Sequence, residues 1–438
     1  MFFMTLRVLP CLSAASLLLA SGCTPDTPPS RPRPFLAITH SALNRLSFFD
    51  LDRRLTVGVL PTMKLPHDMV LDPDSMTLFV VCSGSQNIST YSLRSPALWE
   101  EARDFMSRDS SAQRPPTGRN PMAMGHPGAG RPADSGATPA HPESANPDPV
   151  HLLLPATVRH SLTDPAFPEK AAVPHARVNA STHTSCFDCH QRSVGAKPFA
   201  PRFSSDSSGL YIVHLAGKNL NLLDSKTRSV VRTIPLTLEG DFAPIEAWVD
   251  PAETIAVVTF RAEIGQSKPG RIGVFDLRTG SLRAAIPAGV YPWHLLPTGQ
   301  GRRFYVNNFQ SSRISIFDLD RMEIVDSIVV ENGPAMMVRV PERDLLLVSC
   351  FYTDRVLAVN TSTNHVERRF DVDANPTSIE PGPDGDSFFV LCGGESSLLE
   401  ISLTRGTTVA RYPLLFGAYA MHPFQLENAP GSASRISG

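Results

Sequence analysis

Phe304-Tyr305-Val306-Asn307-Asn308, then Arg313-Ile314-Ser315-Ile316-Phe317-Asp318-Leu319, then Glu323 to Val330, reads as three short strands in succession. β-branched and aromatic residues alternate through it between turns rich in Gly, Pro, Asp and Asn, the pattern of strands rather than helices. Pro292 opens the unit with a first strand ahead of these three. The same unit begins again at Pro66, where Leu78-Phe79-Val80-Val81 and Asn87 to Leu93 follow, and at Pro198, where Leu210-Tyr211-Ile212-Val213 and Leu220 to Asp224 follow. Further copies start at Pro244, Pro334 and Pro376.

From Pro198 to Pro376 the starts lie 42 to 48 residues apart, the length of a four-stranded propeller blade. A seventh copy is split. Pro423-Phe424-Gln425-Leu426 offers only a first strand, while Phe35 to Thr39, Arg45 to Leu51 and Leu55 to Leu60 lack one. Joining the two ends in one sheet closes the ring and removes two open edges. The expected fold is therefore all-β: a seven-bladed β-propeller closed by pairing of N- and C-terminal strands, with eight blades as the main competitor.

Phe304 to Asn308 followed by Ile314 to Asp318 resembles the YVTN-type β-propeller repeat, with Leu78 to Ser83 and Leu345 to Cys350 as looser matches. The likeness covers most of residues 35–94 and 198–426. It implies a propeller and leaves function open, since such propellers serve as binding platforms, lactonase-like enzymes and scaffolds for haem or copper sites. First strands line the channel of a propeller, so the residue two places after each start is a candidate for it. These residues are Asp68, Ala200, Glu246, His294, Met336, Ser378 and Gln425. Copper-holding propellers resemble rings of many channel histidines, and only His67, His294 and His422 are offered here.

Residues 95–197 interrupt the repeat. Pro96 to Met106 predicts one short amphipathic helix with Leu98, Trp99, Ala102, Phe105 and Met106 on its apolar side, and Val150 to Leu154 is expected to supply the displaced outer strand of the blade. Residues 107–149 are loaded with Pro, Gly, Ser and Ala and read as a loop. Cys186-Phe187-Asp188-Cys189-His190 then matches the C-x-x-C-H pattern of c-type haem attachment. Cys186 and Cys189 would bond the two vinyl groups of one covalent haem c, and His190 would be the proximal ligand of its iron. For a second axial ligand, Met122, Met124, His126, His141, His151, His160, His175 and His183 are candidates, His175 being favoured for its distance along the chain; an open position is the alternative. As a redox dithiol, a disulfide or a zinc site the cysteine pair lacks its usual context.

Residues 1–23 read as a secretory signal. Its apolar part from Val8 to Ala20 is too short to span a bilayer, and Leu19 to Cys23 resembles the lipobox of bacterial lipoproteins, which makes Cys23 a lipidation candidate. Residues 24–34 form a proline-rich tether, and 427–438 a tail. The 438 residues carry 40 Lys and Arg against 42 Asp and Glu, with no basic cluster, so nucleic acid is not expected as a partner. Of seven cysteines, Cys82, Cys350 and Cys392 end apolar runs and read as buried free thiols.

Together these features predict a mono-haem cytochrome on a propeller scaffold. It would lie outside the cytoplasm, in the periplasm or cell envelope, held to a bacterial membrane only by a lipid anchor and exchanging electrons with a redox protein. One alternative is a haem-dependent or peroxidase-like oxidoreductase with its substrate in the channel. Another is a binding or scaffolding propeller without catalysis.

Overall fold

In the computed structural model the described residues are 32–109, 189–193, 197–262 and 268–427, and for 189–193 only the backbone is described. They form seven four-stranded antiparallel sheets, a seven-bladed all-β propeller. The innermost strands of blades one to six are Pro66–Asp72, Pro198–Phe203, Phe242–Val249, Pro292–Pro297, Pro334–Val340 and Pro376–Pro381. Blade seven adds Ala418–Leu426 as the innermost strand to Arg33–His40, Arg45–Asp50 and Leu55–Pro61, so the two ends of the chain pair as expected.

Packing explains why the second strand of each blade reads as an unbroken apolar run. Leu78, Val80 and Cys82 of blade one pack toward blade seven with Phe35, Phe48 and Phe424, while Phe79 and Val81 between them pack toward blade two with Leu210 and Ile212. Both faces are buried, so both must be apolar. Among the described residues such clusters occupy all seven interfaces between blades. Each fully buried Leu, Ile or Phe contributes about 1.5–3 kcal/mol. Outer strands face solvent instead, with Val231 and Val329 exposed. The recurring Asp at the end of the third strand caps the next turn: Asp50 accepts from the N–H groups of Asp52 and Arg53, and Asp318 from those of Asp320 and Arg321.

Three expectations need adjustment. First, the seventh repeat starts at Ala418, five residues before Pro423. In five other blades the residue before the starting proline is left-handed, and its carbonyl accepts the N–H of the residue just after the second strand, as in Ser83 to Leu65 and Phe309 to Tyr291. Gly417, at φ 74°, accepts from Ser41 in the same way, which puts Ala418 in the slot of the proline. Second, blade one takes its outermost strand from Cys189–Ser193, paired with Asn87–Ser92, and not from Val150 to Leu154, which lie outside the described residues. Third, the predicted helix, α1, runs slightly further, over Pro96–Arg108.

Helix α1 seals the interface between blades seven and one. Leu98, Trp99 and Ala102 are buried, the Trp99 ring lies 4.8 Å from that of Phe48, and its Nε1 donates to the Leu93 carbonyl at 2.9 Å. Arg45 pairs with Asp109 at 2.9 Å just past the last turn. Among the described residues no helix is long and apolar enough to cross a membrane.

Candidate functional site

Every innermost strand carries an extra residue near its start relative to its neighbour, for example between Pro66 and Asp68 and between Pro292 and Leu295. A bulge turns side chains that a regular strand would bury in the blade, and here it aims them at the axis. It also frees a backbone N–H, which must find another acceptor. Second strands supply one. Thr259 accepts from Glu246 at 3.3 Å, Ser349 from Met336 at 3.0 Å, Thr39 from Ala420 at 3.2 Å, and Asn307 from His294. Asn307 also donates to the carbonyls of Pro334, at 2.8 Å, and Ala335 in the next blade. The ring of candidates drawn from sequence is thereby placed at the channel, with Ala420 in place of Gln425; Gln425 lies near the outer end of its strand beside Met76 and Trp99.

The channel encloses a cavity of about 290 Å³. On one side, three successive blades build a connected group. Glu246 of blade three accepts from Arg202 of blade two through one oxygen, and from His294 Nδ1 at 2.8 Å and the Leu295 N–H at 3.0 Å, both of blade four, through the other. Burial alone would raise the pKa of Glu246, but the charges of His294 and Arg202 and their hydrogen bonds hold it at about 2. Arg202 keeps 43% of its side-chain surface open.

On the other side, blades six, seven and one contribute Glu380, Tyr419, His422, His67 and Asp68, without a hydrogen bond between these side chains. Burial raises Glu380 to about 8 and Asp68 to about 6, and it lowers His67 to about 3 and His422 to about 4. His67 packs against Phe199 at 4.1 Å and Tyr419 at 4.3 Å, and its Nδ1 is buried without a hydrogen-bond partner. Blade five adds Met336 and Val338. Among the described residues no group of three or more His, Cys, Asp or Glu is placed to hold a metal ion.

The haem-attachment stretch lies elsewhere. Cys186, the second-ligand candidates including His175, and Cys23 fall outside the described residues. Cys189 and His190 begin the outermost strand of blade one, opposite Tyr91 and Thr90. Consecutive residues of a paired strand take opposite faces, so one porphyrin meets both only if these two leave the ladder. Three pairs, from Gln191 to Ser193, would still hold the strand, and its outer edge is unpaired among the described residues. The three cysteines expected as buried thiols, Cys82, Cys350 and Cys392, are buried.

Fold and channel together define a seven-bladed propeller with an asymmetric axial cavity of mixed polar and apolar lining. No family model matches the chain. Antigen Lp49 of Leptospira interrogans is 21% identical over 196 residues, which is 40% of this chain and 41% of the antigen, so the match spans about two fifths of that relative. Among solved structures, the periplasmic gluconolactonase PpgL of Pseudomonas aeruginosa aligns over 89% of this chain and 99% of its own, at 12% identity and a TM-score of 0.56. A functionally unknown protein from Desulfotomaculum acetoxidans aligns over 89% and 98%, at 11% identity and a TM-score of 0.57. The dihydro-heme d1 dehydrogenase NirN aligns over 89% and 74%, at 12% identity and a TM-score of 0.53. At these identities the likeness is one of fold.

Proposed function

We propose that the protein is an extracytoplasmic propeller that carries one covalent haem c on the rim of its first blade and exchanges electrons with a redox protein partner. The observation that carries this reading is that the C-x-x-C-H stretch runs straight into the outermost strand. That strand lies three strand spacings, about 14 Å, from the innermost one. Attachment at the perimeter leaves a haem edge open to a docking protein and separates it from the channel. When bound, the haem supplies one-electron transfer. Cys186 and Cys189 would hold it, His190 would ligate its iron, and His175 is proposed as the second ligand. The signal and Cys23 would place the molecule in the cell envelope on a lipid anchor.

Co-expression with a periplasmic haem-maturation system tests this. Denatured protein is expected to retain one haem by absorbance and mass, and to lose it in Cys186→Ala and Cys189→Ala; absence of covalent haem in the unaltered chain overturns the reading. A second reading, an oxidoreductase acting on a substrate in the channel, is favoured by the Arg202–Glu246–His294 group. NirN, whose name makes it a dehydrogenase, has the same fold. Reduction of the haem by a small substrate alone would favour this second reading.

A further inference from the structure

Among the channel groups the charges do not balance evenly. Glu246 is matched by Arg202 and His294, whereas Asp68 and Glu380 have no basic side chain bonded to them. Among the described residues Asp68 accepts only the N–H of the adjacent Met69, at 2.8 Å. Both acids are half-buried and line the cavity, and carboxylates that face a cavity without a basic partner mark the complement of a ligand. The walls beside these acids are aromatic: Tyr419 and Phe199 flank His67, and Trp293 stands 6.5 Å from it. A half-buried carboxylate beside aromatic faces favours a cation, and an organic one, because the described residues offer no metal-like donor group.

We propose that the channel binds a small organic ammonium ion beside blades six, seven and one, with Glu380 and Asp68 supplying the countercharge and Tyr419 of blade seven, Phe199 of blade two and Trp293 of blade four the aromatic walls. The cavity, about 290 Å³, suits an amine of about ten heavy atoms. Burial is the main cause that raises the pKa of each acid; at Asp68 the nearby Glu246 adds to it while Arg202 and His294 oppose it, and an ammonium ligand would supply the directly bonded countercharge that neither acid has among the described residues. This assignment stands apart from the haem, whose motif lies at the rim.

The proposal carries a pH signature. With pKa values raised to about 6 for Asp68 and about 8 for Glu380, both acids are more protonated at pH 5.5 than at pH 8.5, so affinity rises with pH and binding near neutrality releases protons. On the strands flanking Glu380 the titratable channel groups are Tyr419 and His422, while Met336 and Val338 carry no charge. Asp68 is flanked by His67, Tyr419 and the Arg202–Glu246–His294 group. His67 and His422, held low by burial, stay neutral across this range, and Tyr419 stays protonated, so none of the three masks the effect.

Calorimetric titration of the full chain with 2-phenylethylamine, 2-phenylethanol and 3-phenylpropionate tests it, since the amine stays protonated from pH 5.5 to 8.5 as a lysine side chain does. The amine is expected to bind about tenfold or more tighter at pH 8.5 than at pH 5.5, and about tenfold or more tighter than the alcohol or the acid. Glu380→Gln and Asp68→Asn should each weaken it about tenfold while melting as the parent does. Amine binding no tighter than that of the alcohol, no binding at all, or unchanged affinity in both folded variants overturns the proposal.

Discussion

Asn307 joins two blades with one side chain. Its oxygen takes the His294 N–H that the bulge releases, and its nitrogen bridges to the carbonyls of Pro334 and Ala335. The side chain is fully buried, so no water replaces these bonds if it is lost. Asn307→Ala is expected to lower stability by about 2–3 kcal/mol, read from urea unfolding; a loss below half of that would mean that the bulge relaxes. The polar residue within Tyr305-Val306-Asn307-Asn308 was visible in the sequence, as were Thr259 in Val257-Val258-Thr259-Phe260 and Ser349 in Leu347-Val348-Ser349-Cys350. A polar residue at the fifth place of a largely apolar second strand is the signal for this device. Its meaning was not visible, because the bulge it serves lies on another strand.

At the scale of elements, α1 and the outer strand of blade seven fit only because Gly58 lacks a side chain. A Cβ there would lie 2.8 Å from that of Ala102. Gly58→Val should therefore cost about 1–3 kcal/mol by overpacking, and Ala102→Gly in the same chain should restore part of it. Matching urea midpoints for Gly58→Val and the parent would show that the helix slides freely. The apolar side of α1 was legible from its 3.6-residue spacing, through Leu98, Trp99 and Ala102. Its docking place was not, since Phe35, Phe48 and Phe424 come from distant parts of the chain. The outermost strand of blade one shows the converse: Val150 to Leu154 has the better strand composition, yet Cys189 to Ser193, a few residues before Pro198, occupies the position.

For the whole molecule, closure depends on one strand. Ala418–Leu426 pairs with Arg33–His40 and faces the innermost strands of blades six and one, so its removal opens the ring and bares two edges. A chain ending at Pro413 is expected to lose its single cooperative thermal transition and to form higher oligomers in size-exclusion chromatography. A monomer melting like the parent would show that the other six blades hold the ring unaided.

The number of blades, their length and the split seventh blade follow from the sequence, because a blade is a local unit: in all but the split one its four strands follow one another in the chain, and the apolar pattern repeats with them. What meets at the axis is decided by the tertiary structure. Arg202, Glu246 and His294 lie in three successive blades, at positions the repeat alone marks as equivalent to residues with no partner. Glu246 and Glu380 are both channel carboxylates, and one is held charged while burial keeps the other neutral up to about pH 8. The difference arises because charge state depends on which groups the neighbouring blades bring within a few ångströms, and the packing of blade against blade sets those neighbours.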